Sequence, residues 1–142
     1  MKDRTVAVSG GFDPLHIGHV RMMEGARALG TRLVVIVNDD AFLMRKKGYR
    51  FMKEDERLEI VRALRCVDEA VLAIDEDQTV CETLRMLKPD VFANGGDRQA
   101  TGDIPEAAVC ADLGIEMVFN VGGGKVQSSS SLVRKGARKV YD

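Results

Sequence analysis

Short apolar runs rich in valine and isoleucine alternate along the chain with segments of helical period. Residues 5–8, 33–37, 70–74, 90–93 and 115–119 read as strands. The runs are continuous rather than alternating, the pattern of strands buried on both faces, as in a parallel sheet. Residues 16–29 carry apolar side chains at helical spacing and stop at Gly30, a natural C-terminal stop. A second helix is expected over 53–64, with Ile60, Val61 and Leu64 on one face. A third spans 79–87 and ends before Pro89, which cannot continue it. A fourth runs from Pro105 to residue 113 and stops at Gly114, and a short last one covers 131–136. Strand and helix alternate about five times, which argues an α/β fold: one Rossmann-like, doubly wound domain with a five-stranded parallel sheet, spanning residues 1–142. Residues 44–52 and 95–103 show no clear period and read as irregular loops, which in compact domains often carry function.

Composition narrows this picture without redirecting it. A chain of 142 residues is the size of one domain, long enough to bury a core without disulfides or metals. Hydrophobic residues at 45% and charged residues at 30% are the balance of a globular protein. A net charge of -1 leaves no global footprint for nucleic acid or an acidic membrane. No signal peptide is expected, because the N-terminus runs straight into a strand, and residues 33–37 are far too short to cross a bilayer. Cys66, Cys81 and Cys110 are far apart, odd in number and read as helical. With no Cys-x-x-Cys pair, they suggest neither zinc nor a disulfide framework, but reduced thiols in a cytoplasmic protein.

The chemistry concentrates after the first strand, in Ser9-Gly10-Gly11-Phe12-Asp13-Pro14-Leu15-His16-Ile17-Gly18-His19. Two glycines at a strand end allow a sharp turn and close approach of a ligand. The following helix aims its N-terminal amides at the same place, an arrangement that favours phosphate. In open α/β sheets, ligands bind beyond the carboxyl ends of the strands, where this loop falls. The chain's two histidines are His16 and His19, three apart on one helix face, both able to donate to phosphate oxygens. The competing reading has one histidine capping the helix and the other packed against its neighbours. The segment is neither a dinucleotide fingerprint nor a P-loop.

The run from Gly11 to His19 resembles the Gly-x-Phe-Asp-x-x-His-x-Gly-His signature of the cytidylyltransferase-like nucleotidyltransferases. These include glycerol-3-phosphate and phosphoethanolamine cytidylyltransferases, the adenylyltransferase domain of ADP-heptose synthesis and archaeal FAD synthetases. The resemblance extends over nearly the whole chain. It implies transfer of CMP or AMP from CTP or ATP to a phosphorylated alcohol or sugar phosphate, with release of pyrophosphate. It also implies magnesium bound with the nucleotide, no metal site of the protein's own, and a homodimer. His16 and His19 would brace the phosphates, and Gly10, Gly11, Phe12, Asp13 and Gly18 would shape the nucleotide loop. Asp13 is expected either to orient that loop or to meet magnesium.

Other segments extend the resemblance. Arg45-Lys46-Lys47-Gly48-Tyr49-Arg50 looks like the family loop that supplies a lysine to the phosphates. Lys47, before glycine as in the heptose enzymes, or Lys46 would fill that role, with Arg50 near the acceptor. Asn38-Asp39-Asp40 is similar to the family's Asn-x-Asp, whose acid shapes the acceptor pocket, which would assign Asp40; simple turn chemistry is the alternative. Arg57 resembles a family arginine, against the plainer reading of an exposed helical residue. Arg65-Cys66-Val67-Asp68-Glu69 resembles a cytidylyltransferase motif with cysteine for tyrosine, placed near the nucleotide and the dimer interface. Asn94-Gly95-Gly96-Asp97 looks like the Lys-Gly-Gly-Asp of the heptose adenylyltransferases, with asparagine for lysine. The first motif points to CTP and the second, through Gly96 and Asp97, to ATP. Ser128, Ser129 and Ser130 match the family's Ser-Thr-Thr segment, which closes on the triphosphate; helix capping is the plainer role. Two further readings stand beside transfer: a nucleotide-sensing module without turnover, and a fragment of a class I aminoacyl-tRNA synthetase. The second is disfavoured by the short chain and the lack of a basic excess.

Overall fold

A sheet apolar on both faces needs helices on both sides. The computed structural model, which describes residues 2–95, 104–123 and 127–141, supplies them. The elements run β1 (Thr5–Gly10), α1 (Ile17–Arg27), β2 (Arg32–Val37), α2 (Asp40–Lys47), α3 (Glu54–Arg62), β3 (Glu69–Leu72), α4 (Cys81–Leu87), β4 (Val91–Ala93), α5 (Glu106–Leu113), β5 (Glu116–Val118) and α6 (Ser129–Tyr141). The five strands lie in the order β3-β2-β1-β4-β5, and every pairing is parallel. The fold is the α/β, Rossmann-like sheet expected from the pattern. The chain runs outward from β1 in both directions, so the crevice opens where the carboxyl ends of β1 and β4 diverge.

The continuous apolar runs follow from this layering. Val6 and Val8 of β1 and Leu33, Val35 and Val37 of β2 face α1 and α3, packing on Met23, Ala26 and Val61. Ala7 and Ile36 point the other way, onto Leu84 of α4 and Val109 and Cys110 of α5. Successive side chains alternate between faces, and both faces are covered, so the strand interiors, Val6 to Val8 and Leu33 to Val37, are apolar at every position. Among the described residues no helix is long and apolar enough to cross a membrane.

The structure departs from the sequence pattern at several places. Residues 44–52, expected to be irregular, begin as the second half of α2. That helix buries only Leu43 and ends in a basic run, so it has no apolar period to read. It is specified at its ends instead: the Asp39 carboxylate accepts from the Phe42 amide at 2.8 Å, and Gly48 closes it in the left-handed conformation at φ 81°. α6 is longer than the expected 131–136 at both ends. Cys66 lies in the turn between α3 and β3 rather than in a helix.

Candidate active site

Gly10 ends β1, and its carbonyl accepts from the Asn38 amide at 2.9 Å, holding the β1 and β2 ends level. Phe12 then takes a left-handed φ of 53°, a conformation strained for an aromatic residue. The turn drives its ring, 2% exposed, back under the strand end. A β-carbon on Gly10 would lie 2.8 Å from that ring, and one on Gly11 would lie 2.9 Å from the Leu43 side chain. Both glycines are therefore demanded by packing beneath the loop.

Arg57 and Asp13 fix the loop from behind. Arg57, on α3, is completely buried. Its guanidinium donates to the carbonyls of Met52, Gly11 and Asn38 and to the Asp40 carboxylate. One side chain thus joins the ends of β1 and β2, the start of α2 and the segment before α3. Asp13, also fully buried, accepts from the Phe51 and Met52 amides at 2.6 Å each. The reading of Arg57 as an exposed helical arginine is corrected, and the open role of Asp13 falls to orienting the loop.

The two histidines form an unusual cap. His16 is the N-cap of α1, and its Nδ1 accepts from the Gly18 amide at 3.1 Å. His19 reaches back, its Nδ1 accepting from the His16 amide at 3.1 Å. This is a capping box built from imidazoles. An accepting Nδ1 in a neutral ring puts the proton on Nε2, so the backbone selects the tautomer of both rings. The rings stack with centroids 3.7 Å apart, and the edge contact of His19 with Phe12 is 5.0 Å between centroids. Burial, then the neighbouring His16 and the Lys47 charge, hold the His19 imidazole down to about 4. Near neutral pH it is an uncharged N–H donor. Capping and phosphate binding, posed as alternatives by the sequence, use different nitrogens and are compatible.

Above the histidines lies a cleft of about 390 Å³. Of the residues singled out from sequence, Gly10, Gly11, Phe12, His16, Gly18, His19, Lys46, Lys47, Ser128, Ser129 and Ser130 all line it. Asp13, Asp40 and Arg50 do not line it. Asp40 pairs with Arg57 at 2.9 Å and with Arg50 at 3.1 Å, forming a brace behind the loop. Gly96 and Asp97 lie outside the described residues. The basic cluster is thereby divided: Arg45 bonds Gln78 and the Asp77 carbonyl, Arg50 is paired, and the two lysines face the cleft. Ser128 caps α6, its hydroxyl accepting from the Ser131 amide at 3.3 Å, and Ser129 donates to the Pro14 carbonyl at 2.8 Å. The serine segment is thus tied to the histidine loop.

Sequence reasoning missed several walls of the cleft. Gln78, Thr79 and Glu106 line it, as do Phe42 and Leu43 of the unforeseen α2, and from the Asn-x-Asp segment it is Asn38 rather than Asp40 that reaches the cleft. The pair Gln78-Thr79 was findable, since it follows a strand's carboxyl end. Glu106 carried no signal. The Arg65–Glu69 motif lies at the other end of the sheet. Asp68 accepts from the Leu33 amide at 2.8 Å and pairs with Arg27, while Glu69 pairs with Arg32. From Leu33 to the cleft residue Asn38 is roughly 16 Å of strand. The expectation that this motif lies near the nucleotide is corrected, and with it goes the residue-level argument for CTP.

No group of three or more His, Cys, Asp or Glu among the described residues is placed to hold a metal ion. Both oxygens of Asp13 are taken by amides. These side chains do not fit a magnesium held by the protein itself.

The cleft offers fixed N–H donors, two ammonium groups and hydroxyls, all of them partners for phosphate oxygens. Chemistry of that kind, on a parallel sheet at its switch point, suits the phosphates of a nucleotide. Residues 7–135 match the family model described as cytidylyltransferase-like, and the chain belongs to that family. It is 45% identical over 116 residues to the bifunctional protein HldE of Streptomyces coelicolor, covering 80% of this chain and 24% of that one. Identity to HldE of Citrifermentans bemidjiense is 38% over 135 residues, covering 93% and 27%. The chain therefore spans about a quarter of the length of these curated relatives. Among solved structures, the lipopolysaccharide core biosynthesis protein from Thermoplasma volcanium superposes with a TM-score of 0.71 at 27% identity, covering 84% of this chain and 97% of that one. Pantoate-beta-alanine ligase from Francisella tularensis, at 17% identity and a TM-score of 0.60 over 98% of this chain and 70% of that one, shares the fold.

Proposed function

We propose that the chain transfers an adenylyl group from ATP to a sugar phosphate. The observation that carries the reading is the imidazole capping box, which places both histidine rings in the wall of a cleft also lined by Lys46 and Lys47. The Thermoplasma volcanium neighbour, a lipopolysaccharide core biosynthesis protein, favours the sugar branch of the family over the alcohol-phosphate branch. The Gly-Gly-Asp resemblance favours ATP, and the displacement of the Arg65–Glu69 motif removes the counter-argument.

In this reading an oxygen of the acceptor phosphate attacks the α-phosphorus. One P–O bond forms, the bond to the β-phosphate bridge breaks, and pyrophosphate leaves. A phosphate monoester is nucleophilic enough near neutral pH, so no protein nucleophile is needed. The work of the site is positioning and stabilisation of developing charge. His16 and His19 donate to the reacting phosphate. Magnesium bound with the triphosphate would neutralise part of its charge, while Lys46, Lys47 and the serine segment would hold its remaining phosphates. The family resemblance supports a homodimer, and the free thiols of Cys66, Cys81 and Cys110 support a reducing, cytoplasmic setting.

Pyrophosphate release tests the reading, with ATP or CTP paired against sugar 1-phosphates, glycerol 3-phosphate, phosphocholine and FMN. ATP with a sugar phosphate is expected to be fastest. Faster release with CTP would reverse the choice of base. ATP binding without release from any pair would leave a sensing module instead.

A further inference from the structure

The permanent cations of the cleft come from one element. Among the described residues they are Lys46 and Lys47, both at the end of α2. α2 follows β2, and on the other side of β1 the sheet continues with β4. There the cleft is lined by Asn94, which follows β4, and by Glu106, which opens α5. Both side chains are buried, at 6% and 4% exposure. The Glu106 carboxylate is anchored, one oxygen accepting from the Val80 amide at 3.0 Å. The Asn94 backbone is anchored too: its amide donates to the Val118 carbonyl at 2.8 Å, and its carbonyl accepts from the Val121 amide at 3.0 Å. The Asn94 side chain is not, because among the described residues its Nδ2 has no hydrogen-bond partner.

A buried donor left unpaired is destabilising, and a native fold retains one where a ligand supplies the acceptor. Asn94 is also where the Gly-Gly-Asp resemblance breaks, asparagine standing for lysine, so the group it meets needs no counter-charge. The chemistry of the pair narrows that group. Ionised phosphates and carboxylates only accept, and here they would meet the Glu106 charge. An ammonium only donates, so it would suit Glu106 and leave Nδ2 orphaned. A hydroxyl does both. A carboxylate has about four lone-pair sites, so one bond from Val80 does not exhaust it.

We infer that Asn94 and Glu106 form a hydroxyl-reading subsite, which takes the uncharged polyol part of a substrate while the lysines of α2 take phosphates. That polyol is the ribose of the nucleotide or the sugar of the acceptor. The choice between these ligands rests on the nucleotidyl-transfer reading; the subsite itself rests on the two side chains. A site of this kind discriminates strongly, because a ligand lacking the hydroxyl leaves buried polar groups unpaired. It also has a signature that a structural residue lacks. Asn94 is kept against stability, so an apolar side chain of similar size relieves the unbound protein.

The test compares wild type with Asn94→Leu and with Glu106→Gln, which keeps an acceptor for the Val80 amide. One arm measures ATP against 2′-deoxy-ATP and 3′-deoxy-ATP by calorimetry with magnesium. The other sets mannose 1-phosphate and glucose 1-phosphate against ethyl phosphate and phosphoethanolamine. Wild type is expected to prefer the hydroxyl-bearing ligands of one arm by about tenfold or more, and both variants to shrink that ratio to about twofold or less. A ratio that shrinks in the first arm assigns the ribose, and in the second the acceptor sugar. Unliganded Asn94→Leu is expected to melt at or above the temperature of wild type. No hydroxyl preference in wild type, a preference unchanged in both variants, or equal loss of all ligands with a lowered melting temperature overturns the subsite. Hydroxyl-dependent binding with no pyrophosphate release from any nucleotide and acceptor keeps the subsite and sinks the transfer reading. Release with unchanged preferences does the reverse.

Discussion

His19 does three things with one ring: it accepts from the His16 backbone, stacks on the His16 imidazole and lines the cleft. His19→Ala should therefore lower kcat about 10²–10³-fold, the usual cost of removing one preorganised donor, while far-UV circular dichroism stays unchanged. Near-normal turnover in that variant would remove the central claim. The low proton affinity of His19 has a separate consequence for stability. The unfolded chain takes up a proton near 6.5 that the folded protein refuses until about 4. Stability is thus complete above about 6.5 and falls as pH drops towards 4, by roughly 3 kcal/mol in all. Urea midpoints at pH 7.5, 6 and 5 should follow that slope in wild type and flatten in His19→Asn; equal slopes in the two would reject the assignment. Both histidines stood out in the sequence by scarcity and spacing. Their tautomer did not, because it depends on which amide each Nδ1 meets.

At the scale of elements, the loop from Gly10 to His16 is held in place by α3. Replacing Arg57 with methionine leaves three buried carbonyls and one carboxylate oxygen without their donor. The expected loss is about 3–5 kcal/mol in urea unfolding, the range seen when one member of a buried ionic network is removed. A loss under 1 kcal/mol would mean that the loop holds itself. α1 is pinned from the other side as well. Gly122 takes φ 84°, and a β-carbon there would sit 2.6 Å from the Met22 backbone. Gly122→Ala should push α1, and His19 with it, out of register, costing about 1–3 kcal/mol and lowering kcat beyond what stability explains. Normal kcat in a destabilised Gly122→Ala would separate that packing from catalysis. The helices with an apolar stripe were legible in the sequence. α2 was not, because it packs through one leucine and is set by Asp39 and Gly48 at its ends.

For the whole molecule, sheet order decides where ligands go. β1 lies between β2 and β4, so its carboxyl end opens onto both halves of the fold. The same order sends the Arg65–Glu69 motif to the opposite rim. With that motif removed from the cleft, ATP with magnesium should raise the melting temperature more than CTP at equal concentration. At a hundredfold excess over Kd the stabilisation is about 2.7 kcal/mol. Equal shifts from all nucleoside triphosphates would mean that the cleft reads phosphates and not the base.

Strand number, parallel pairing, the glycine-rich loop after β1 and its two histidines were already determined by the amino-acid sequence. They are local: a continuous apolar run, a glycine pair at a strand end and a three-residue spacing each have one cheap structural solution. The partners of charged groups were decided only by the tertiary structure. Arg57 could have been solvated, Asp13 could have met a cation, and Arg50 could have faced the acceptor. Each instead found a buried or bracing partner brought from 10 to 46 residues away in the chain. A charge settles where opposite charge or backbone dipoles converge, and that convergence exists only once β1, β2, α2 and α3 have packed.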